Sequence, residues 1–130
     1  MRVIITLDKK NGYSFFSKRI SSDVEVSKDI LKSLPDGEKL YMSSYSKSLF
    51  PDEYAERLII SSGPFPADAT VFLEVLDVPE EADELVVYRW DKKYLSDKTY
   101  NPYEKFRKLV PDEFFEGHSH GKITKERYLR

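Results

Sequence analysis

The sequence predicts an α+β fold: a single globular domain over residues 1–130, with a mixed or mainly antiparallel sheet of about five to seven strands and about two to four short helices. Three observations lead there. Short apolar or alternating runs, each bounded by Gly, Pro, Asn or Asp, recur along the whole chain. Helical periodicity is confined to brief stretches. No internal repeat, low-complexity tract or linker divides the 130 residues, a length usual for one domain.

Val3, Ile5 and Leu7 alternate, and Ile4 between them is apolar too, the pattern of a strand interior to a sheet. Asn11 and Gly12 mark a turn and Tyr13 to Phe16 read as a second strand, so 8–12 is expected to close a hairpin. Ser27 is the expected N-cap of a helix whose Ile30, Leu31 and Leu34 share one face, ending at Pro35, Asp36 and Gly37. Lys39 to Ser43 reads as a strand, Ser44 to Phe50 as a turn or one-turn helix before Pro51, and Arg57 to Ser61 as another strand. Gly63 to Pro66 is a loop. Thr70 to Leu76 and Leu85 to Trp90 are the clearest later strands and are expected to pair with each other, joined by the acidic connector Asp77 to Glu84. Asn101, Pro102 and Glu104 have the spacing of a helix start, bounded by Pro111. Phe114 to His120 alternates as a last strand, and Thr124 opens a short terminal helix.

Composition removes several classes of function. Without cysteine the chain forms no disulfide, no thiolate zinc site and no thiol nucleophile. Asp8, Lys9 and Lys10 end the first apolar run too soon for a signal peptide, and no segment is long enough to span a bilayer, so the expected location is cytoplasmic with no membrane partner. A net charge of -2 argues against a generic polyanion binder, although Lys122, Lys125, Arg127 and Arg130 concentrate positive charge near the C-terminus. A solvated terminal helix explains that tail equally well. Glu80, Glu81, Asp83 and Glu84 lack the glycine and ligand alternation of a calcium loop and read as a surface connector.

Both histidines fall in Gly117 to Lys122, and on an extended backbone Glu116, His118 and His120 share one face. Two histidines and no cysteine make a poor ligand set, so neither a metal nor a cofactor is expected. The residue types suit metal-independent phosphodiester cleavage, with one imidazole accepting a ribose hydroxyl proton, another donating to the leaving oxygen, and Lys122 or an arginine steadying the anionic transition state. A glycine-flanked pair on a solvated loop is the plainer alternative. Arg19, Ser21 and Asp23, spaced by two, offer a cation, a hydroxyl and a carboxylate to a phosphate or ribose, or else form an Arg–Asp pair beside a helix entry. Tyr88, Arg89, Trp90 and Tyr94 could stack on bases or simply fill a core.

Thr6 to Phe15 with its Asn11 and Gly12, Arg19 to Asp23, Tyr45 to Phe50, Tyr88 to Asp97 and the ending Gly117 to Tyr128 together resemble a family of small bacterial proteins of unsettled function, whose members often carry the label ribonuclease Z. A genuine ribonuclease Z has a metallo-β-lactamase fold and a His-x-His-x-Asp-His motif, whereas His118, Ser119, His120 and Gly121 are followed here by Lys122 and Ile123. The label therefore implies no activity for this chain. The family's ending, Gly, two small polar residues, His, then Ile-Thr-x-Glu, implies that His120, Ile123, Thr124 and Glu126 are the matching positions. His118 stands in a small-residue position, and Leu95 where the family often has proline.

The leading expectation is a protein that binds an anionic ligand, a nucleotide or RNA. Arg19, Ser21, Asp23, Tyr45, Arg89, Trp90 and Thr124 are its candidate ligand contacts, with His120 and Lys122 the catalytic pair if it cleaves phosphodiesters. The competing expectation is a non-enzymatic interaction module, a homo-oligomer or antitoxin-like protein partner, whose exposed tyrosines and phenylalanines form the contact surface.

Overall fold

The computed structural model describes residues 1–75 and 77–130. Its central strand, β1 (Arg2–Leu7), buries Val3, Ile5 and Leu7 on one face and Ile4 on the other, as an interior strand must. There follow β2 (Gly12–Phe15), β3 (Lys18–Arg19), α1 (Val24–Ser33), β4 (Leu40–Met42), α2 (Ser44–Lys47) and, after a 3₁₀ segment at Asp52–Arg57, β5 (Leu58–Ile60). Then come β6 (Thr70–Phe72), β7 (Glu84–Trp90), β8 (Lys98–Thr99), a 3₁₀ turn at Pro102–Glu104, β9 (Arg107–Lys108), β10 (Glu113–Glu116) and β11 (Lys122–Leu129). The main sheet runs β10-β11-β7-β1-β6-β4-β5, with β9 added to β11, and a second sheet runs β3-β2-β8. Strands β7, β1, β6, β4 and β5 are parallel, while β11 and β10 join antiparallel. The fold is the mixed-sheet α+β domain that the pattern predicts.

Two apolar layers cover the sheet. On the α1 side Ile4, Ile30, Leu40, Met42, Phe72 and Trp90 pack together, and on the other side Val3, Ile5, Leu7, Leu85, Phe106 and Tyr128. No helix among the described residues is long and apolar enough to cross a membrane.

Several local expectations give way to tertiary structure. The segments around β6 and β7 do not pair with each other: each takes one edge of β1, Arg2 facing Thr70 on one side and Glu84 on the other, which satisfies the backbone groups on both edges of a buried strand. The expected end of the first of these at Leu76 lies outside the described residues. β1 and β2 do not form a hairpin ladder, because β2 turns away to pair with β3 and β8. Helix α1 begins earlier than Ser27, capped by Asp23, whose carboxylate accepts from the Glu25 amide; Ser27 is buried inside the helix. The helix expected after Asn101 is only the 3₁₀ turn, although Asn101 does cap it. The terminal helix expected from Thr124 is instead β11, which pairs with β7 from Ile123 opposite Trp90 to Leu129 opposite Glu84. Strand β10 ends at Glu116, and the Gly117 amide donates to the Gly121 carbonyl at 3.0 Å, so His118 and His120 occupy a turn rather than one face of a strand.

Candidate functional site

Asp23, Trp90 and the turn carrying His120 meet beside the carboxyl ends of β1, β6 and β7, the end at which open α/β sheets leave a crevice for ligands. Asp23 is the hub. Its buried carboxylate takes the Glu25 and His118 amides on Oδ1, each at 2.9 Å, and the Ser119 and His120 amides on Oδ2 at 3.0 and 3.2 Å. The His120 ring adds Nδ1, 2.7 Å from Oδ2. Burial alone would raise the acid's pKa, but the His118 amide, the His120 ring and the Glu25 and Ser119 amides hold it well below the usual carboxylate range. An ionised oxygen facing Nδ1 requires a proton there, so these partners assign the neutral ring the Nδ1–H tautomer with Nε2 bare.

Two hydroxyls face that bare nitrogen. Ser21 Oγ lies 2.7 Å from Nε2 and Tyr94 OH 3.0 Å, with 3.3 Å between the two oxygens. Trp90 stacks on the imidazole, 4.5 Å between centroids and 22° between planes, fixing the ring from its face. Among the described residues no group of three or more His, Asp or Glu side chains is placed to hold a metal ion.

A second cluster adjoins the first. Arg19 does not pair with Asp23: its Nε and a terminal nitrogen donate to both oxygens of Glu74 at 2.7 and 2.8 Å, and its guanidinium lies 4.1 Å over the Tyr45 ring. Ser46 donates to the same carboxylate. Register places Ser14 opposite Arg19 on β3 and opposite Lys98 on β8, so hydroxyl and cations form one cross-strand row. Ser14 Oγ is buried without a hydrogen-bond partner. It lines a pocket of about 50 Å³ with Tyr13, Lys18, Arg19, Tyr45 and Lys98.

The remaining expected site residues lie elsewhere. Arg89 points to the sheet face opposite Trp90 and is held by Glu126 at 3.1 and 3.0 Å, the Asp8 carbonyl and Asn11. Thr124 stands opposite Arg89 in the ladder and so faces the same way. The Lys122 ammonium sits 4.6 Å over the Phe114 ring, outside the His120 network, and His118 is exposed, contributing its amide alone to Asp23. A groove of about 230 Å³ lies at the other end of β1 and β7, but Arg2 and Arg127 in its walls are paired with Glu84, and Lys125 with Asp29. Ser14, Glu74 and Lys98 carried no sequence signal, because a separate small sheet and a loop after β6 assemble them.

No family model matches the chain, and no curated protein matches it by sequence. Among solved structures it is similar to a dihydrofolate reductase from Enterococcus faecalis, described as complexed with NADP(H) and RAB-propyl. The superposition covers 100% of this chain and 96% of that one, with a TM-score of 0.65 and 13% identity. The chain has a dihydrofolate-reductase-like fold. Identity that low shows the fold alone.

Proposed function

We propose that the protein is a cytoplasmic binder of a nucleotide-type anionic ligand, whose phosphate enters the pocket formed by Ser14, Lys18, Arg19 and Lys98. The buried, unpartnered Ser14 hydroxyl carries this reading. Leaving such a group unpaired costs about 1–3 kcal/mol, and a phosphate oxygen would satisfy it. Lys18 and Lys98 supply charge that Glu74, occupied by Arg19 and Ser46, does not cancel.

The pocket's small volume suits a phosphate and not a whole nucleotide, so base and ribose would extend across the rim, where Tyr45 is 43% exposed and Arg19 covers one face of its ring. The NADP(H) held by the structurally similar reductase supports a nucleotide as the ligand class; a terminal RNA phosphate would use the same contacts. Cleavage by two imidazoles and Lys122 is less well supported than binding, since only His120 joins the network.

The test is a thermal-shift and calorimetric titration with NADP(H), mononucleotides and short RNA at low and high salt. Stabilisation of about 2.7 kcal/mol is expected at ligand a hundredfold above Kd, falling with salt and lost in the Lys18→Ala/Lys98→Ala double variant. No shift with any of these ligands would overturn the proposal.

A protein-contact reading rests on a different observation. Phe16 is 76% exposed at the tip of the β2–β3 turn, in left-handed conformation at φ 49°. A large ring held out at conformational cost is a contact residue in waiting. Light scattering and affinity capture, with Phe16→Ser as the control, test it; a monomer with no Phe16-dependent partner excludes it.

A further inference from the structure

We infer that Ser21, His120 and Asp23 form a nucleophile, base and orienting carboxylate for acyl transfer, cleaving short-chain esters through an acyl-Ser21 intermediate. The inference stands on geometry separate from the Ser14 pocket. Ser21 Oγ to His120 Nε2 and His120 Nδ1 to Asp23 Oδ2 are both 2.7 Å, the contacts by which such a relay is recognised wherever it occurs in a fold.

The bland account is a latch tying residues 117–121 to the start of α1. Three backbone amides, those of His118, Ser119 and His120, already perform that task, and it explains neither the ring nitrogen on Asp23 nor a serine on the far nitrogen of the ring. Trp90 against the imidazole face and the ionised Asp23 fix both orientation and tautomer, so the Nε2 lone pair faces the two hydroxyls, and Ser21, the nearer at 2.7 Å against 3.0 Å for Tyr94, is placed to give it a proton.

The chemistry balances with an ester and water. Ser21 Oγ bonds to the carbonyl carbon as its proton passes to His120 Nε2, and the carbonyl π pair moves onto oxygen. Collapse breaks the C–O bond to the alcohol, which takes the proton from Nε2. Water then adds to the acyl-serine, giving a proton to Nε2; collapse releases the carboxylic acid, and the proton returns to Ser21.

Tyr94 OH, 3.3 Å from Oγ and 3.0 Å from Nε2, loses its acceptor on the ring once Nε2 is protonated, and its proton can then turn to the developing oxyanion. Beside Ser21 a cleft of mixed lining, Thr6, Ser27 and Glu74 with Val26, Phe72 and Trp90, holds about 10 Å³, room for about one water or methyl group, so the acyl chain is no longer than acetyl.

The experiment incubates the full chain with a short-alkyl fluorophosphonate, maps the adduct by peptide mass, and follows 4-nitrophenyl acetate hydrolysis. The expected result is a single adduct on Ser21, absent in Ser21→Ala, which keeps the Asp23–His120 bond and hence the fold. His120→Gln should slow labelling about 100-fold or more, and Tyr94→Phe should lower ester turnover about 100-fold. Asp23 acts by positioning, so Asp23→Asn should alter the pH profile of labelling as well as its rate. An unlabelled Ser21 in the wild type, or equal labelling rates in wild type and His120→Gln, would overturn the inference. Nucleotide titration of Ser21→Ala separates this outcome from the Ser14 pocket, because that variant leaves the pocket unaltered.

Discussion

Gly117 lies directly against Asp23: a Cβ at Gly117 would stand 2.7 Å from Asp23 Oδ2, and 2.8 Å from both the His120 carbonyl and Ile123 Cδ1. None of the three can yield cheaply, since one is a multiply bonded carboxylate, one is backbone and one is core. Gly117→Ala should therefore cost about 1–3 kcal/mol and displace the turn that carries His120, although it deletes no functional group. Gly121→Ala, whose Cβ would meet nothing within 4 Å, is the matched control and should be near neutral. Urea denaturation gives the stabilities, and the Nδ1–H proton resonance of His120 reports the Asp23 contact. Equal stability of the two variants would contradict the crowding.

Asp23 also predicts an acid limb. Its folded pKa is depressed, so its contribution to stability is fully present above its unfolded value near 4 and is lost as pH falls from there toward the folded value. At neutral pH Asp23→Asn should lose about 2–3 kcal/mol, because an amide nitrogen replaces an acceptor among converging N–H donors. The gap between wild type and variant should narrow steadily as pH drops below about 4. Urea midpoints measured across this range check the sign; a gap that widens in acid would refute the assignment.

The Arg89–Glu126 pair makes a third case. Burial would raise the Glu126 carboxyl, but Arg89 and the Tyr128 hydroxyl bring it below the ordinary range, and the Tyr128 phenol is pushed up, first by its own burial and then by Glu126. Removing the acid alone strands a buried guanidinium, so Glu126→Met should cost about 3–5 kcal/mol. The double variant Arg89→Met/Glu126→Met should be less destabilised than the single one, since no uncompensated charge remains. A thermal-melt cycle over the four proteins decides it, and additive losses would show that the charges do not depend on each other.

These residues also show how much was legible beforehand. The apolar pattern of β1 and the mixed sheet were readable because burial on both faces leaves a local signature. Partner choice was not. Ser21, Asp23 and His120 were each singled out, but the contacts joining them span 99 and 97 positions, and Arg19 finds its acid 55 positions away. A spacing of two put Arg19, Ser21 and Asp23 on one strand face, whereas β3 stops at Arg19 and Asp23 begins a helix. Strand order hides the rest: β6 and β7 flank β1, which pairing by sequence proximity does not suggest. The basic residues near the C-terminus looked helical because the ladder with β7, not local propensity, makes them a strand.

The β2–β3 turn sets stability against a surface role. Phe16 and Ser17 both have positive φ, 49° and 62°, the geometry of a two-residue turn that favours Asn-Gly. Phenylalanine is disfavoured there, and its exposed ring recovers little beyond a contact with Phe15 at 4.3 Å between centroids. Phe16→Asn/Ser17→Gly should therefore stabilise the protein by about 1 kcal/mol, raising Tm by about 3–6 °C by differential scanning calorimetry. If Phe16 is kept for a partner, the same variant should lose that partner while melting higher, because strain retained at an exposed site implies a use for it. A fall in Tm would mean that the Phe15–Phe16 contact outweighs the backbone strain, and the conformational argument for a contact role would go with it.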